Sequence, residues 1–187
     1  MKVKVVVCLL ALGSLFGATA HAQDVPKFDL FAGYSYVRAN PSTSGIDSFN
    51  MHGGSASIAY NANHWLSAVA DIGGYHANNI LGTGVDGTLS TYLFGPRVSY
   101  RHSERVTPFG QVLFGDAHIG GHNGLAFSSS NNSFAMAIGG GVDVKVSHRF
   151  SLRPLQVDYL LTRFNELGLG SQNQNSLRVS TGVVFHF

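Results

Sequence analysis

Residues 177–187 (LRVSTGVVFHF) alternate almost without exception. Leu177, Val179, Thr181, Val183, Phe185 and Phe187 fall on one face, nearly all apolar. Arg178, Ser180, Gly182, Val184 and His186 fall on the other, mostly small or polar. A repeat of two is the repeat of a β-strand, in which successive side chains point to opposite faces. The same alternation returns along the chain in segments of about ten residues separated by turn-forming stretches. Beyond residue 22 no run approaches the roughly 20 apolar residues of a membrane helix. A chain built from such segments has to pair them with one another to satisfy its backbone.

Eight segments are expected. The first runs from about Lys27 to Arg38, with Phe28, Leu30, Ala32, Tyr34 and Tyr36 on one face. The second spans about Phe49 to Asn61 and the third about His64 to Tyr75. The fourth contains Tyr92–Tyr100 and the fifth spans about Arg105 to His118. The sixth, about Ser133 to Val146, puts Phe134, Met136, Ile138, Val142, Val144 and Val146 opposite Ala135, Ala137, Gly139, Gly141, Asp143 and Lys145. The seventh is about Arg149 to Arg163, and the eighth is the terminal segment. Short turns follow the second, fourth and sixth. Longer stretches rich in Gly, Ser and Asn, at about 39–48, 77–87, 120–132 and 164–175, follow the others.

Pro96, Pro108 and Pro154 fall inside these segments. Proline cannot donate to a ladder, so each is expected at a bulge or a strand end. Around Pro154 the alternation resumes at Leu155 only if one residue is extra, which turns Arg153 inward.

An eight-stranded antiparallel barrel can keep its apolar face inside, around a ligand, or outside, against lipid. The bulky face here is Tyr, Phe, Leu, Ile and Val, and the other is mainly Gly, Ser, Ala, Asp, Arg and Gln. Surface Lys and Glu, which a soluble barrel needs, are missing from the strands. Bulky apolar groups outside and small polar ones inside is the membrane arrangement. The expected fold is therefore all-β, an eight-stranded antiparallel up-and-down transmembrane β-barrel. Its interior would hold Asp29, Asp71, Asp143 and Asp158 against Arg97, Lys145, Arg153 and Arg178 as a structural ion-pair network. Asp143 and Arg153 flank the Ser147-His148 turn at similar distances and are expected to pair. Trp65 falls on the inward parity. Aromatics near the segment ends suggest two interfacial girdles.

Residues 1–22 read as a secretory signal: Lys2 and Lys4, an apolar core from Val5 to Phe16, then Ala20-His21-Ala22 as cleavage site. That leaves 23–187 as one barrel domain. Removing Lys2 and Lys4 leaves ten Lys and Arg against ten Asp and Glu, a neutral chain with no electrostatic footprint for nucleic acid. Cys8, the single cysteine, lies in the signal, so the mature chain has no disulfide or thiolate site.

FDLFAGYSY at the mature start, YLFGPRVSY, TPFGQVLFG, the Arg153/Gln156/Asp158-Tyr159 pattern and the VVFHF end resemble the OmpA-like, porin-family eight-stranded outer-membrane barrels. The resemblance covers the whole mature chain and lacks the peptidoglycan-binding domain of full-length OmpA proteins. It implies a bacterial outer-membrane location with both termini periplasmic and contact with outer-membrane lipid. It also implies that the barrel-assembly machinery reads the terminal strand, with Phe185 and Phe187 as assembly signal. The role it implies is structural, adhesive or envelope-integrity, through a surface partner that the residues do not identify; with no catalytic or cofactor motif in the sequence, the chain is expected to be non-enzymatic and without cofactor.

Two other classes stay open. A small-solute pore is disfavoured by a narrow, charge-filled interior. A lipid-modifying barrel enzyme needs a Ser, a His and an acid converging at the level of the outer leaflet, and nothing in the sequence assembles them. The eight histidines after residue 22 are scattered. His118 and His122 near Asp116 are a weak surface metal candidate.

Overall fold

The alternating segments pair as successive antiparallel hairpins, and the last returns to the first. A computed structural model describes residues 25–41, 48–77, 86–123, 127–166 and 170–187. The strands are β1 (Phe28–Pro41), β2 (Phe49–Asn61), β3 (Leu66–Ala77), β4 (Asp86–Ser99), β5 (Val106–Asn123), β6 (Phe127–Lys145), β7 (Phe150–Glu166) and β8 (Gly170–His186). They form a closed up-and-down barrel in chain order. The seam is β1 against β8, from Asp29 opposite His186 to Pro41 opposite Gln174. Phe187 N–H completes it on Phe28 O at 2.9 Å. Residues 1–22, expected as a signal, lie outside the described residues.

Both ends of the described chain lie at the end that carries the short turns at 62–65, 100–105 and 146–149, here termed the turn end. At the opposite, hairpin end, strands outrun the sequence-based expectation. Stretches 120–132 and 164–175, expected as loops, are largely ladder: β5 pairs with β6 out to Asn123–Phe127, and β7 with β8 out to Glu166–Gly170. Alternation of apolar and polar residues marks a strand only where lipid covers one face. Past the bilayer the hairpins keep their backbone pairing but lose that pattern. A membrane strand needs about 9–11 residues; β6 has 19 and β7 and β8 have 17 each.

The prolines differ in how they fit. At Pro154 the register of β7 slips by one residue against both neighbours, a bulge that turns Arg153 into the lumen. Pro108 is the third residue of β5. Pro96 departs from expectation, lying in mid-strand with its register intact. Its pairing with β3 persists, while rungs to β5 are absent between Phe94–Phe114 and Arg97–Gln111. A missing N–H therefore interrupts the ladder without requiring an extra residue. Trp65, expected inward on strand parity, sits half-buried in the 62–65 turn.

The outward face is a belt of exposed apolar side chains, including Leu30, Ile58, Ile72, Phe94, Phe114, Ile138, Leu155 and Val183. Phe150, Phe185 and Phe187 stack edge to face at the turn end, with centroids 4.8 and 4.4 Å apart. The inward face is less uniformly small and polar than the sequence suggests. Val37, Met51, Tyr75, Leu89, Leu93, Leu113 and Leu160, in the hairpin-end half of the lumen, belong to a buried apolar cluster that also takes in Val69 nearer the turn end. Alternation separates lipid-facing from inward residues, but an eight-stranded lumen is narrow enough to accept large apolar side chains as packing. Inward glycines make the room. A β-carbon on Gly73 would lie 2.2 Å from the Tyr75 hydroxyl and 2.8 Å from Thr91 Oγ1.

Gly73→Ala is accordingly expected to lower stability by about 1–3 kcal/mol through overpacking. In a Tyr75→Leu background the added cost should shrink. Urea unfolding in detergent micelles measures both, and an equal cost in both backgrounds would refute the role given to Tyr75.

Candidate functional site

Inward parity delivers charged side chains from six strands into one lumen, where burial strips most of their water and each must find partners. Two groups result, one in the middle of the barrel and one at the turn-end mouth.

In the middle, Arg153 grips Asp143 with two bonds, Nε to Oδ1 at 2.7 Å and Nη2 to Oδ2 at 2.9 Å. The sequence-based pairing across the 146–149 turn is thus realised in the geometry. The Arg153 guanidinium also lies 4.4 Å from the ring centres of both Phe31 and Phe109. Arg178, fully buried, donates from Nη1 to Asp71 at 2.7 Å and from Nη2 and Nε to Asp158 Oδ2 at 2.8 and 3.0 Å. It reaches the Tyr75 hydroxyl at 3.2 Å.

Two glutamines join these pairs. Gln156 accepts from Arg153 at 2.8 Å and donates to Asp158 at 2.7 Å. Gln111 accepts from Arg97 through Nε and Nη2 at 3.1 and 2.8 Å and donates to Asp158 at 2.9 Å. An amide placed between a cation and a carboxylate has only one satisfying orientation, oxygen to the cation and nitrogen to the anion. Among the described residues Arg97 makes no carboxylate pair within 4 Å. It is held by Gln111 and by the face of Phe109, 4.4 Å away. Three guanidiniums and three carboxylates therefore balance in this layer, with Asp158 accepting from Gln111, Gln156 and Arg178.

At the mouth, Asp29 on β1 faces His186 on β8 across the seam, Oδ1 to Nδ1 at 2.6 Å. His186 Nε2 meets Ser151 Oγ at 2.8 Å. The second Asp29 oxygen accepts from Asn61 Nδ2 at 2.9 Å and Arg101 Nη2 at 3.3 Å. Lys145, expected in the network, is exposed at the end of β6 and makes none of these contacts. Its inward parity runs out where the strand leaves the barrel. Arg101 takes a place that strand reading misses, because it lies in the 100–105 turn where no alternation points to it. His186 and Ser151 carry the correct parity, yet no local motif links positions 35 residues apart.

The mouth opens into a cavity of about 1500 Å³ lined by Asp29, Arg97, Arg101, Lys145, Ser151 and His186 among others. Toward the hairpin end the mid-barrel layer and then the buried apolar cluster follow. Asp116 and His118 lie on the outward face of β5, and no cluster of three or more potential metal ligands forms among the described residues.

Removing Arg178 strands two buried carboxylates, so Arg178→Ala should cost about 3–5 kcal/mol, the usual penalty for breaking a buried pair. Asp71→Asn should cost less in that background than alone. In double-mutant cycles, Arg153 should couple to Asp143 more strongly than to Asp158, since only the first contact is direct. Unfolding in detergent measures each term, and equal coupling to both carboxylates would contradict the assignment.

The fold matches that of known proteins. The sequence profile of the outer membrane protein beta-barrel domain matches residues 8–187. Among solved structures, Neisserial surface protein A superposes with a TM-score of 0.69 at 17% identity, covering 88% of this chain and 100% of that one. Ail, the attachment invasion locus protein of Yersinia pestis, gives 0.57 at 15% identity over 86% and 99%. The N-terminal β-barrel domain of Pseudomonas aeruginosa OprF gives 0.52 at 14% identity over 87% and 98%. No protein of curated function matches the sequence. With nearly its whole length covered by the profile, the chain belongs to the outer membrane protein beta-barrel family, and its apolar belt is its contact with outer-membrane lipid.

Proposed function

We propose that the chain is an occluded anchor with an adhesive or envelope-integrity role, and that it is not a conduit. The observation that carries this reading is the filled lumen: a saturated polar layer backed by packed Tyr75, Leu89, Leu93, Leu113 and Leu160. Such an interior suits a stiff mount, and holding a mount asks no chemistry of it. What it holds out are the β5–β6 and β7–β8 hairpins, whose ladders continue well past a bilayer span. Ail shares the fold, and its name refers to attachment. The adhesive part of the reading rests on the hairpins themselves.

In this reading residues 1–22 are a secretory signal, both termini are periplasmic, and the four longer connections face outward. The closing strand β8, with Phe185 and Phe187 at its end, is what the assembly machinery engages. Phe187 both completes the seam to Phe28 and packs on Phe185, so its loss loosens the last rung and the aromatic end together.

Wild-type protein in planar bilayers is expected to pass no steady current, and a stable ohmic conductance would establish a pore instead. A protease site inserted at residue 44 should be cut on intact cells, and one inserted at residue 63 only after the outer membrane is broken. The reverse pattern would invert the topology. Deleting Phe187 should reduce surface levels more than deleting residues 128–130, and equal levels for the two would remove the assembly role.

A further inference from the structure

Ser151, His186 and Asp29 come from β7, β8 and β1, strands brought together only by closure of the barrel. With a neutral imidazole their hydrogen bonds take a single direction. A carboxylate only accepts, so Nδ1 of the His186 imidazole donates to Asp29, and Nε2 of the neutral ring is left to accept from the Ser151 hydroxyl. That is the polarity of a nucleophile, its base and the acid that orients the base. Both contacts lie within the 2.6–3.2 Å expected of such a group. Asp29 is itself fixed, because Asn61 and Arg101 hold its other oxygen. Asn61 in turn donates to Pro26 O at 2.7 Å and accepts from Ser67.

The group is open to the turn-end cavity, whose wall includes Ser151 and His186. Lys27, Arg97, Arg101, Arg105, Lys145 and Arg149 line that cavity against four carboxylates, those of Asp29, Glu104 and Asp143 and the main-chain carboxylate of Phe187. Arg97 and Asp143 belong to the balanced middle layer and Asp29 pairs with Arg101, so Lys27, Arg105, Lys145 and Arg149 against Glu104 and the Phe187 carboxylate leave the wall a modest positive excess. Positive walls concentrate anions and stabilise a developing oxyanion.

We propose that Ser151, His186 and Asp29 form a hydrolytic site in the turn-end mouth that acts on small anionic esters. Ser151 Oγ attacks the ester carbonyl while His186 Nε2 takes its proton. The C–O bond to the alcohol breaks, and the leaving alkoxide receives that proton from His186. Water, deprotonated by the same nitrogen, then releases the acid and restores the hydroxyl. Asp29 acts as a positioning residue, holding the ring in the tautomer the step requires. The activity goes beyond the anchor reading and is independent of it, since a filled lumen neither requires nor prevents a reactive mouth.

The test uses the protein purified from outer membranes in mild detergent. A fluorophosphonate probe should phosphonylate the unboiled, folded band, with Ser151 Oγ displacing fluoride, and mass spectrometry should place the adduct on the peptide carrying Ser151. Ser151→Ala should abolish labelling, and His186→Gln should slow it at least about 100-fold, the low end for loss of a positioned base. 4-Nitrophenyl succinate should be cleaved at least about 10-fold faster than the neutral 4-nitrophenyl butyrate, with the preference shrinking at high salt. Site mapping on the wild type needs no variant and so holds even if a variant misfolds. No adduct on Ser151 in the folded wild type, labelling equal to that of boiled protein, or labelling unchanged in Ser151→Ala would each overturn the proposal. Equal cleavage of both esters would overturn the anionic substrate class. Bilayer conductance reads the anchor role separately.

Discussion

The requirement that no backbone N–H or C=O be left unpaired in hydrocarbon governs this molecule. Eight strands meet it only if the last pairs with the first, and the β1–β8 ladder does so from Asp29–His186 to Pro41–Gln174. Closure has consequences far from the seam. It leaves no free edge on which a proline could sit, so Pro154 is accommodated by a bulge and Pro96 by lost rungs toward β5. The bulge turns Arg153 inward, and that turn brings its guanidinium to Asp143. A backbone constraint thus fixes the partner of a buried charge.

The interior follows from the small diameter that closure imposes. With lipid outside, burial of apolar area gives the outward face no preference between membrane and lumen partners, so internal packing has to come from the lumen itself. The hairpin-end half solves this with apolar side chains set against inward glycines, as Tyr75 is against Gly73. The middle solves it with charge. Asp158 takes hydrogen bonds from three side chains, and the two glutamines extend its field to Arg97 and Arg153. A carboxylate so thoroughly solvated by fixed donors replaces much of the hydration it loses. Arg97, with no carboxylate within 4 Å among the described residues, is held instead by Gln111, which takes its Nε and Nη2 donors, and by the face of Phe109.

Much of this was legible in the sequence wherever lipid on one side imposes alternation. Residues 27–38 and 133–146 read directly as strands, and the bulge at Pro154 followed from a break in that alternation. The Asp143–Arg153 pair was legible because a short turn sets its register. Asp71 and Arg178 were legible as inward charges but not as partners, since 107 residues separate them and only closure brings β3 and β8 to face one lumen. Phe31, Tyr75 and Phe109 were not legible as interior side chains, because a narrow lumen accepts large rings wherever a glycine makes space. The extended hairpins were missed for a different reason: outside lipid, polar residues on both faces pair as readily as alternating ones.

The two buried polar groups look alike as contact lists, yet they differ in what they leave available. In the middle layer each carboxylate is engaged by a guanidinium or an amide, and each guanidinium is seated on a ring or between carboxylates, so a change of partner there only breaks something. At the mouth the chain of contacts ends on a hydroxyl. Asp29 is anchored by Asn61 and Arg101, His186 is anchored by Asp29, and Ser151 Oγ meets His186 Nε2 beside a cavity. A network built only to neutralise charge could stop at Asp29 and Arg101, which already form an ion pair. Carrying it through an imidazole to a hydroxyl adds nothing to that neutrality. It orders a base against a nucleophile, next to a wall whose excess positive charge draws in anions. The rigid seam that makes the barrel an anchor is also what holds those three side chains in register.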